Sequence, residues 1–185
     1  MIFFISKGVP YNEKKEQVFK VWHKGNIIQL TQSQKIIWNY LYGSIKSYND
    51  ILKYIYFLLK EKKIFVSKEK LHQVLTQLKS LDLITYEEED NIQLCEFILI
   101  AKNKIKILKN TNIENNFEKQ IYEFFQNYDN MSLSDFLTEY NNEQYPLLTN
   151  GYNIEYIKFA YNCNFRKNTI EAIKHFINAG ICYIE

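Results

Sequence analysis

The stretch Ser47–Leu52, which reads Ser-Tyr-Asn-Asp-Ile-Leu, carries a helix-start signal in the first half of the chain. Its serine stands three residues before an aspartate, so the hydroxyl can accept a hydrogen bond from the Asp50 amide and start a helix. The stretch Ser132–Leu137, Ser-Leu-Ser-Asp-Phe-Leu, repeats this pattern. An apolar and aromatic segment precedes each stretch, Ile37–Leu41 in the first case and Ile121–Phe125 in the second. The chain therefore contains one helical pattern twice.

A third apolar segment follows each copy of the pattern, and its residues recur at helical spacing. Each copy therefore predicts the order helix, turn, helix, connection, helix and strand. The apolar positions are Leu71, Leu75, Leu78, Leu81 and Leu83 in the first copy, and Ile170, Ile173, Phe176 or Ile177, and Ile181 in the second.

Residues 1–30 carry strand patterns. Ile2–Ser6 and Val18–Leu30 are rich in β-branched and aromatic residues, which favour strands. The segment His23–Asn26 contains a glycine and an asparagine, residues that tolerate the backbone angles of a hairpin turn. We expect the strands on either side of it to pair. Thr31 or Ser33 is then expected to cap the first helix.

The third helix of the first copy is expected to begin at Ser67, which is placed as its N-cap. After this helix, Asp82–Tyr86 reads as an extended segment. Glu87–Asn91 reads as the tip of a hairpin, and Ile92–Ile100 reads as the strand that returns from it. The sequence therefore predicts a two-stranded hairpin directly after the three helices.

Three helices followed by a two-stranded hairpin resemble the winged helix-turn-helix superfamily. The leading strands, with Leu30-Thr31 entering the first helix, are similar to the output domains of response regulators. This resemblance covers about residues 18–100, and it implies a sequence-specific DNA-binding regulator of transcription. The expected fold class is mainly α with small β-hairpins, arranged as tandem winged helix-turn-helix-like units. A homodimer is expected to match a palindromic site.

A polar, asparagine-rich segment suggests where the domains divide. Asn110–Asn116 lacks helical periodicity and is predicted to be a linker. The expected domains are an N-terminal winged-helix-like domain at 1–109 and a C-terminal helix-turn-helix-like domain at 117–185. An insertion at 141–153, which includes Pro146 and Gly151, interrupts the second domain.

The net charge of +2 is unevenly distributed along the chain. Residues 1–75 hold 13 Lys and 5 acids, residues 76–130 hold 6 Lys and 10 acids, and residues 131–185 hold 4 basic residues and 6 acids. The basic first part is typical of a surface that binds a polyanion. The excess of Lys, Asn and Ile, with Arg166 as the single arginine, is equally typical of an A·T-rich genome. Both interpretations stay open.

The segment from Asn164 looks like the start of a recognition helix. A helix N-terminus favours phosphate through its free amides, an arginine offers a forked donor to guanine or phosphate, and an asparagine can pair with adenine. The corresponding helix of the first copy begins near Ser67 and offers lysines and glutamines to DNA. The predicted DNA-binding residues are Lys68, Lys70, Gln73, Gln77, Arg166, Lys167, Asn168 and Lys174.

The four consecutive acids Glu87–Asp90 oppose simple DNA binding, because a phosphate backbone would repel them. An alternative is a peptide-binding module or interaction partner in a peptide-modification pathway. The first half also resembles the precursor-peptide recognition domains related to the peptide chaperone of pyrroloquinoline quinone biosynthesis. That resemblance implies that a leader peptide adds as a strand to the N-terminal sheet beside a helix. The groove candidates are Phe19, Val21, Ile27 and Trp38.

No catalytic, metal or cofactor motif stands out. The chain has no nucleophile elbow, its glycines lie too far apart for a phosphate loop, and its histidines and cysteines form no close ligand pair. We expect no enzyme, no metal and no cofactor. The odd number of cysteines, Cys95, Cys163 and Cys182, favours reduced thiols in a cytoplasm. The apolar runs are shorter than the roughly 20 residues of a membrane span, so no membrane partner is expected.

Overall fold

The computed structural model describes residues 1–11, 18–61, 67–108, 111–127, 132–133 and 164–185. Side chains of residues 164–167 fall outside this description. The backbone contacts divide the chain into two units, Met1–Asp90 and Asn91–Glu185. Three predicted features lie outside the described residues: the helix continuing from Ser134 to Leu137, the insertion at 141–153, and Cys163.

The first unit contains a three-stranded antiparallel meander formed by β2 (Val9–Tyr11), β3 (Lys20–His23) and β4 (Asn26–Gln29). Lys24 and Gly25 join β3 to β4, and both have positive φ angles of 48° and 77°. Positive φ at both central residues is the geometry of a type I′ turn, whose twist matches that of paired strands. The predicted hairpin is confirmed.

Three helices follow the meander: α1 (Gln32–Leu41), α2 (Tyr48–Lys60) and α3 (Lys68–Ser80). Their N-caps are Thr31, Ser47 and Ser67, and each side chain accepts a hydrogen bond from the amide three residues later. Each cap satisfies a backbone donor that the first helical turn leaves free. All three predicted caps are confirmed.

A second antiparallel sheet has the order β5-β1-β6, where β1 is Ile2–Ser6, β5 is Lys46–Ser47 and β6 is Ile84–Glu88. The pairing of β1 with β6 runs from Ile2 opposite Glu88 to Ser6 opposite Ile84. The strand after the three helices therefore pairs with the start of the chain. This arrangement packs one face of the sheet against the helices.

The core of the first unit joins residues from both sheets and from all three helices. Trp38 is fully buried, and its indole Nε1 donates to the carbonyl of Lys7 at 3.1 Å. This bond satisfies a polar group that would otherwise be buried without a partner. The fully buried members are Val21, Ile37, Trp38, Leu41, Ile51, Leu71, Leu78 and Leu83.

The predicted hairpin at residues 82–100 is wrong in its second half. Ile92–Ala101 forms a helix, α4, capped by the Asn91 side chain, which accepts from the Leu94 amide at 3.0 Å. Six of its residues, Cys95 and Phe97–Ala101, are buried. The apolar run Phe97–Ala101 fits either a buried helix or a buried strand, and periodicity does not distinguish them.

The second unit contains α4, β7 (Ile105–Ile107), α5 (Asn116–Asn127), α6 (Asn164–Asn178) and β8 (Cys182–Ile184) among the described residues. β7 pairs with β8 in an antiparallel ladder. Helices α5 and α6 bury apolar residues, including Ile121, Phe125, Ile173 and Phe176. The predicted segment Ser132–Leu137 is described only at its start, where Ser132 forms an isolated bridge with Lys104 and Leu133 is buried.

The position at which the chain divides into two units differs from the predicted one, the linker at 110–116. Residues 111–115 have no helix or strand, as the composition suggested, but the contacts divide the chain between Asp90 and Asn91. The physical reason is that β7, inside the predicted first domain 1–109, pairs with β8 at the end of the chain. The predicted second domain, 117–185, is correspondingly extended to begin at Asn91.

Helices α3 and α6 end in the same way, although the residues differ. After α3, Asp82 has a φ of +55° and the Leu83 amide donates to the Leu78 carbonyl at 2.9 Å. After α6, Gly180 has a φ of +62° and the Ile181 amide donates to the Phe176 carbonyl at 2.8 Å. Both are Schellman-type ends that lead into a strand. The described chain thus combines six helices with small antiparallel sheets.

Gly8 provides a test of the close packing between the β1–β2 connection and β3. Its φ is +81°, and a Cβ built there would lie 2.6 Å from the Trp22 carbonyl oxygen and 2.9 Å from Val21 Cγ1. Gly25 has a similar φ of +77°, but a Cβ there meets nothing within 4 Å. We expect Gly8→Ala to lower the free energy of unfolding by about 1–3 kcal/mol more than Gly25→Ala, because only the first adds overpacking to backbone strain.

Urea unfolding of both variants measures this difference. Gly25→Ala is the matched control, because it carries the same conformational penalty in open space. Equal losses of stability in the two variants would contradict the packing described around Gly8.

Candidate functional site

Helix α3 has an outward polar face that contains most of the DNA-binding residues predicted for the first unit. Its apolar residues Leu71, Val74, Leu75 and Leu78 are buried, which fixes the orientation of the helix. Lys68, Lys70 and Gln73 are exposed as expected. Lys70, Gln73 and Gln77 are three and four residues apart, so they share one face of the helix.

Gln77 is also exposed, and its side chain has one partner within the protein. Its Oε1 accepts a hydrogen bond from Gln34 Nε2 at 3.1 Å, which links α3 to α1. The bond uses one lone pair of Oε1, so it restrains the orientation of the Gln77 amide without blocking contact with a base. The structure therefore gives Gln77 an internal partner, which the sequence did not reveal.

The second predicted recognition helix, α6, begins at Asn164 as the sequence suggested. Arg166 and Lys167 lie in its first turn, and their side chains are outside the described residues. Asn168 is exposed. The structure brings these residues onto one helix start but describes only part of their surface.

Lys174, the fourth predicted residue of α6, is engaged within the protein. Its Nζ lies 2.7 Å from Glu96 Oε2 and 3.5 Å from Glu171 Oε1, and 28% of its side chain is exposed. Burial lowers the pKa of Lys174, but Glu96 and Glu171 outweigh that effect and raise it. The ammonium is charged, and two protein carboxylates balance it, so Lys174 contributes little field to an external phosphate.

The acidic run Glu87–Asp90 is not the tip of a hairpin. Glu87 and Glu88 end β6, and Asp90 Oδ1 lies 3.4 Å from the α-amino group of Met1. The acids therefore lie beside the start of β1. They place negative charge at one end of the β1–β6 ladder.

A groove lies between α3 and the sheet formed by β1 and β6. Its volume is about 310 Å³, at the lower end of the range for ligand sites. Phe4 and Tyr86 stand opposite each other in the ladder, with ring centroids 5.8 Å apart. The groove is lined by Ile2, Phe4, Tyr48, His72, Leu75, Thr76, Lys79, Ile84, Tyr86 and Glu88.

Lys79 and Tyr86 bridge the groove near the end of α3. Lys79 Nζ donates to the Tyr86 hydroxyl at 2.8 Å and lies 4.3 Å from the centroid of the same ring. At the opposite end, His72 and Glu88 are both exposed. The groove therefore has an apolar middle with a positive group at one end and a negative group at the other.

Strand β6 presents an open edge beside the groove. Within the described residues it pairs on one side only, with β1. The Lys7 amide donates to the Leu83 carbonyl at 2.9 Å, and the Glu89 amide donates to the Met1 carbonyl at 3.0 Å. Because ladder bonds alternate along an antiparallel strand, the backbone groups of Tyr86 and Glu88 point away from β1. They are directed to the open edge.

The groove predicted from the sequence lies elsewhere, and two of its four residues cannot form it. Val21 and Trp38 are both 0% exposed, so they belong to the core. Phe19 is half-buried against Trp38, with ring centroids 5.8 Å apart. Ile27, on the edge strand β4, is 49% exposed. The prediction that Trp38 borders an exposed groove is wrong, because the indole closes the core.

Sequence reasoning missed the groove, although one signal was visible. The residues that line it from β1 and β6 occupy every second position, Ile2 and Phe4 on one strand and Ile84, Tyr86 and Glu88 on the other. Alternation of this kind marks one face of a strand. The sequence did not show that the two strands pair, since they lie at opposite ends of the first unit.

A charged cluster joins the β1–β2, β3–β4 and α3–β6 connections of the first unit. Asp82 accepts from Lys7 Nζ at 2.9 Å, from Lys24 Nζ at 2.6 Å and from His23 Nε2 at 3.1 Å. Burial raises the pKa of Asp82, yet hydrogen bonds from Lys24, Lys7 and His23 outweigh it and hold the pKa well below its ordinary value. Lys7 is buried, so its charge requires this partner. We assign the cluster a structural role.

The described ranges offer no arrangement for metal binding or thiol chemistry. They hold no group of three or more His, Cys, Asp or Glu side chains that could bind a metal ion. Cys95 and Cys182 are buried thiols, and burial raises the pKa of the Cys182 thiol, which keeps it protonated. No helix in these ranges combines the length and apolarity that a membrane crossing requires.

Neither a protein-family model, nor a curated protein, nor a solved structure matches this chain. The surfaces described above are therefore the basis for any functional assignment.

The Asp82 cluster predicts a pH-dependent contribution to stability. The pKa of Asp82 is lower in the folded chain than in the unfolded chain, so its contribution is present above about pH 4 and declines as the pH falls. Asp82→Asn keeps a residue that tolerates positive φ and removes the charge. At pH 7 we expect it to cost about 1–2 kcal/mol, after allowing for solvent screening of a partly exposed group.

Urea unfolding at pH 7, pH 5 and pH 3.5 measures the change in unfolding free energy. Asp90→Asn is the control, because Asp90 is exposed and its pair with the N-terminus should contribute little at any pH. A penalty for Asp82→Asn that is as large at pH 3.5 as at pH 7 would show that its charge does not stabilise the fold.

Proposed function

We propose that the first unit is a peptide-binding module that takes an extended segment into the groove between α3 and β6. The observation that supports this proposal is the combination of an apolar groove with an open strand edge. A peptide that adds to a sheet edge gains affinity from backbone hydrogen bonds and specificity from pockets for alternate side chains. The groove and the β6 edge supply both requirements side by side.

The size and lining of the groove fit side chains better than a large cofactor. A volume of about 310 Å³ is small for a ligand site, and the apolar and aromatic lining includes Phe4, Leu75, Ile84 and Tyr86. Successive side chains of a strand alternate between its two faces, so every second residue of an added peptide would face the groove. The precursor-peptide recognition domains are also thought to bind an added strand. Here the peptide would pair with β6, whereas the sequence-based hypothesis placed it near Phe19 and Ile27.

A substitution that fills the groove tests this proposal. Thr76 is exposed and lines the groove, so Thr76→Trp should place an indole in the space for the peptide side chain. We expect it to weaken peptide binding by at least about tenfold, which corresponds to roughly 1.4 kcal/mol. Gln73→Trp is the matched control, because Gln73 is exposed on α3 and does not line the groove.

The probe is a set of acetylated octapeptides that alternate Thr with Val, Leu or Phe, titrated into the full chain and followed by NMR of the backbone amides. We expect chemical-shift changes at Tyr86, Glu88 and residues 72–79. The amide protons of Tyr86 and Glu88 should also become protected from exchange, since a new strand would pair with them. Shifts confined to the β4 edge, or equal binding by Thr76→Trp and Gln73→Trp, would contradict the assignment.

Double-stranded DNA is a second candidate ligand, as the winged helix-turn-helix resemblance suggested. The observation that favours it is the exposed face of α3 with Lys68, Lys70 and Gln73. Lysine suits phosphate, and a glutamine amide suits the edge of adenine. Under this proposal the chain acts as a sequence-specific regulator, and a dimer would match a palindromic operator.

Electrophoretic-shift titrations with genomic fragments at several salt concentrations test the DNA candidate. Lys70→Ala should weaken all complexes similarly and reduce the salt slope by about 1, whereas Gln73→Ala should relax preference at one base pair and cost about 1–3 kcal/mol. Lys53→Ala, which removes an exposed lysine of α2, is the control. Arg166→Ala and Lys167→Ala extend the assay to α6. Unchanged affinity in all four test variants would exclude both helices as recognition helices.

A further inference from the structure

The two ends of the groove carry charged side chains of opposite sign, Lys79 and Glu88. At the C-terminal end of α3, Lys79 donates to the Tyr86 hydroxyl at 2.8 Å and packs over its ring. At the other end, the carboxylate of Glu88 is exposed and lines the groove. Glu87 points to the other face of β6, and Glu88 is the one acid among the residues that line the groove.

The pairing geometry fixes which residues of an added strand would meet these groups. Tyr86 and Glu88 are two residues apart on β6, and both side chains line the groove. Residues placed directly opposite them on a neighbouring strand would point to the same side, with their Cβ atoms about 4.5–5.5 Å away. Two peptide positions separated by one residue would therefore face Tyr86 and Glu88 together.

We propose that the groove selects an extended peptide with an apolar side chain opposite Tyr86 and a lysine or arginine, two residues away, opposite Glu88. This inference rests on the proposed peptide binding and adds a sequence preference to it. The apolar residue packs beside the Tyr86 ring, and the cation forms a cross-strand ion pair with Glu88. The residue between them points to the opposite side of the sheet and is not selected by the groove.

The order of the two residues reports the direction of the peptide. An antiparallel peptide meets Glu88 before Tyr86, so the cation precedes the apolar residue. A parallel peptide gives the reverse order. In both directions the spacing is two, because side chains alternate between faces along a strand.

Charge reversal at Glu88 tests the preference. The probes are fluorescein-labelled octapeptides in which every residue is Thr except for one Leu and one charged residue. The charged residue is Lys or Glu, and it stands two residues before the Leu or two residues after the Leu. In a further peptide the Lys is one residue from the Leu. For the full chain we expect the Lys peptide of one order to bind about two- to fivefold more tightly than the matching Glu peptide, measured by fluorescence anisotropy. Moving the Lys by one residue should remove this advantage.

Three variants complete the experiment. Glu88→Gln should bring the Lys and Glu peptides to similar affinity, and Glu88→Lys should reverse their order. Glu114→Lys makes the same change in net charge at an exposed residue outside the groove lining, and it should keep the wild-type preference. Because Glu88 is exposed, the variants should retain the fold, and circular dichroism with thermal unfolding checks this.

The possible outcomes separate this inference from the proposed function. Peptide binding that is indifferent to the charge at Glu88, or that follows net charge equally in Glu114→Lys, overturns the inference and leaves peptide binding intact. Absence of binding by every peptide overturns both. Sedimentation that shows self-association, lost in Thr76→Trp and retained in Gln73→Trp, would identify a second copy of the chain as the occupant and also overturn both.

Discussion

The pairing of β1 with β6 is the interaction on which the rest of the first unit depends. It joins the first residues of the chain to the strand that follows α3, with Phe4 opposite Tyr86 at its centre. The ladder continues to Lys7, whose amide donates to the Leu83 carbonyl at 2.9 Å and whose own carbonyl accepts from the Trp38 indole at 3.1 Å. Since alternate residues of paired strands share a face, the same register that closes the core also aligns the residues of the groove. One set of backbone hydrogen bonds therefore determines both the fold and the candidate binding surface.

The end of α3 shows how a conformational requirement and an electrostatic one are met by a single residue. The chain needs a residue with positive φ there to turn from the helix into β6, and Asp82 takes that conformation at +55°. The same turn brings its carboxylate within 2.9 Å of the buried Lys7 ammonium. A buried ammonium without a partner would be strongly unfavourable, so the acid at this position compensates for the burial of Lys7. In the second unit, Gly180 fulfils the conformational requirement after α6 without a side chain.

Local features of the fold were predictable from the sequence, whereas features that depend on distant partners were not. The Ser47 cap and the turn at Gly25 depend on a few adjacent residues, and both were predicted. Helix α4 was missed because its apolar half, Phe97–Ala101, is buried at every residue and shows no amphipathic period. The groove was missed because it requires the non-local β1–β6 pairing. Gln77 and Lys174 were predicted to face DNA, but their partners Gln34 and Glu96 are distant in sequence, and only the folded chain brings them together.

Helix α3 presents separate faces, and this separation bears on both candidate functions. Successive residues of an α-helix are rotated by about 100°, so Thr76 and Gln77 cannot point in the same direction. His72, Thr76 and Lys79 line the groove, whereas Lys70, Gln73 and Gln77 share another face outside it. Leu71, Val74 and Leu78 occupy a third face and pack in the core, and Leu75 contributes to both the core and the groove. A peptide in the groove would leave Lys70 and Gln73 uncovered, and DNA on their face would leave the groove open. Binding at one face therefore gives no evidence against binding at the other, and only substitutions confined to a single face distinguish the two functions.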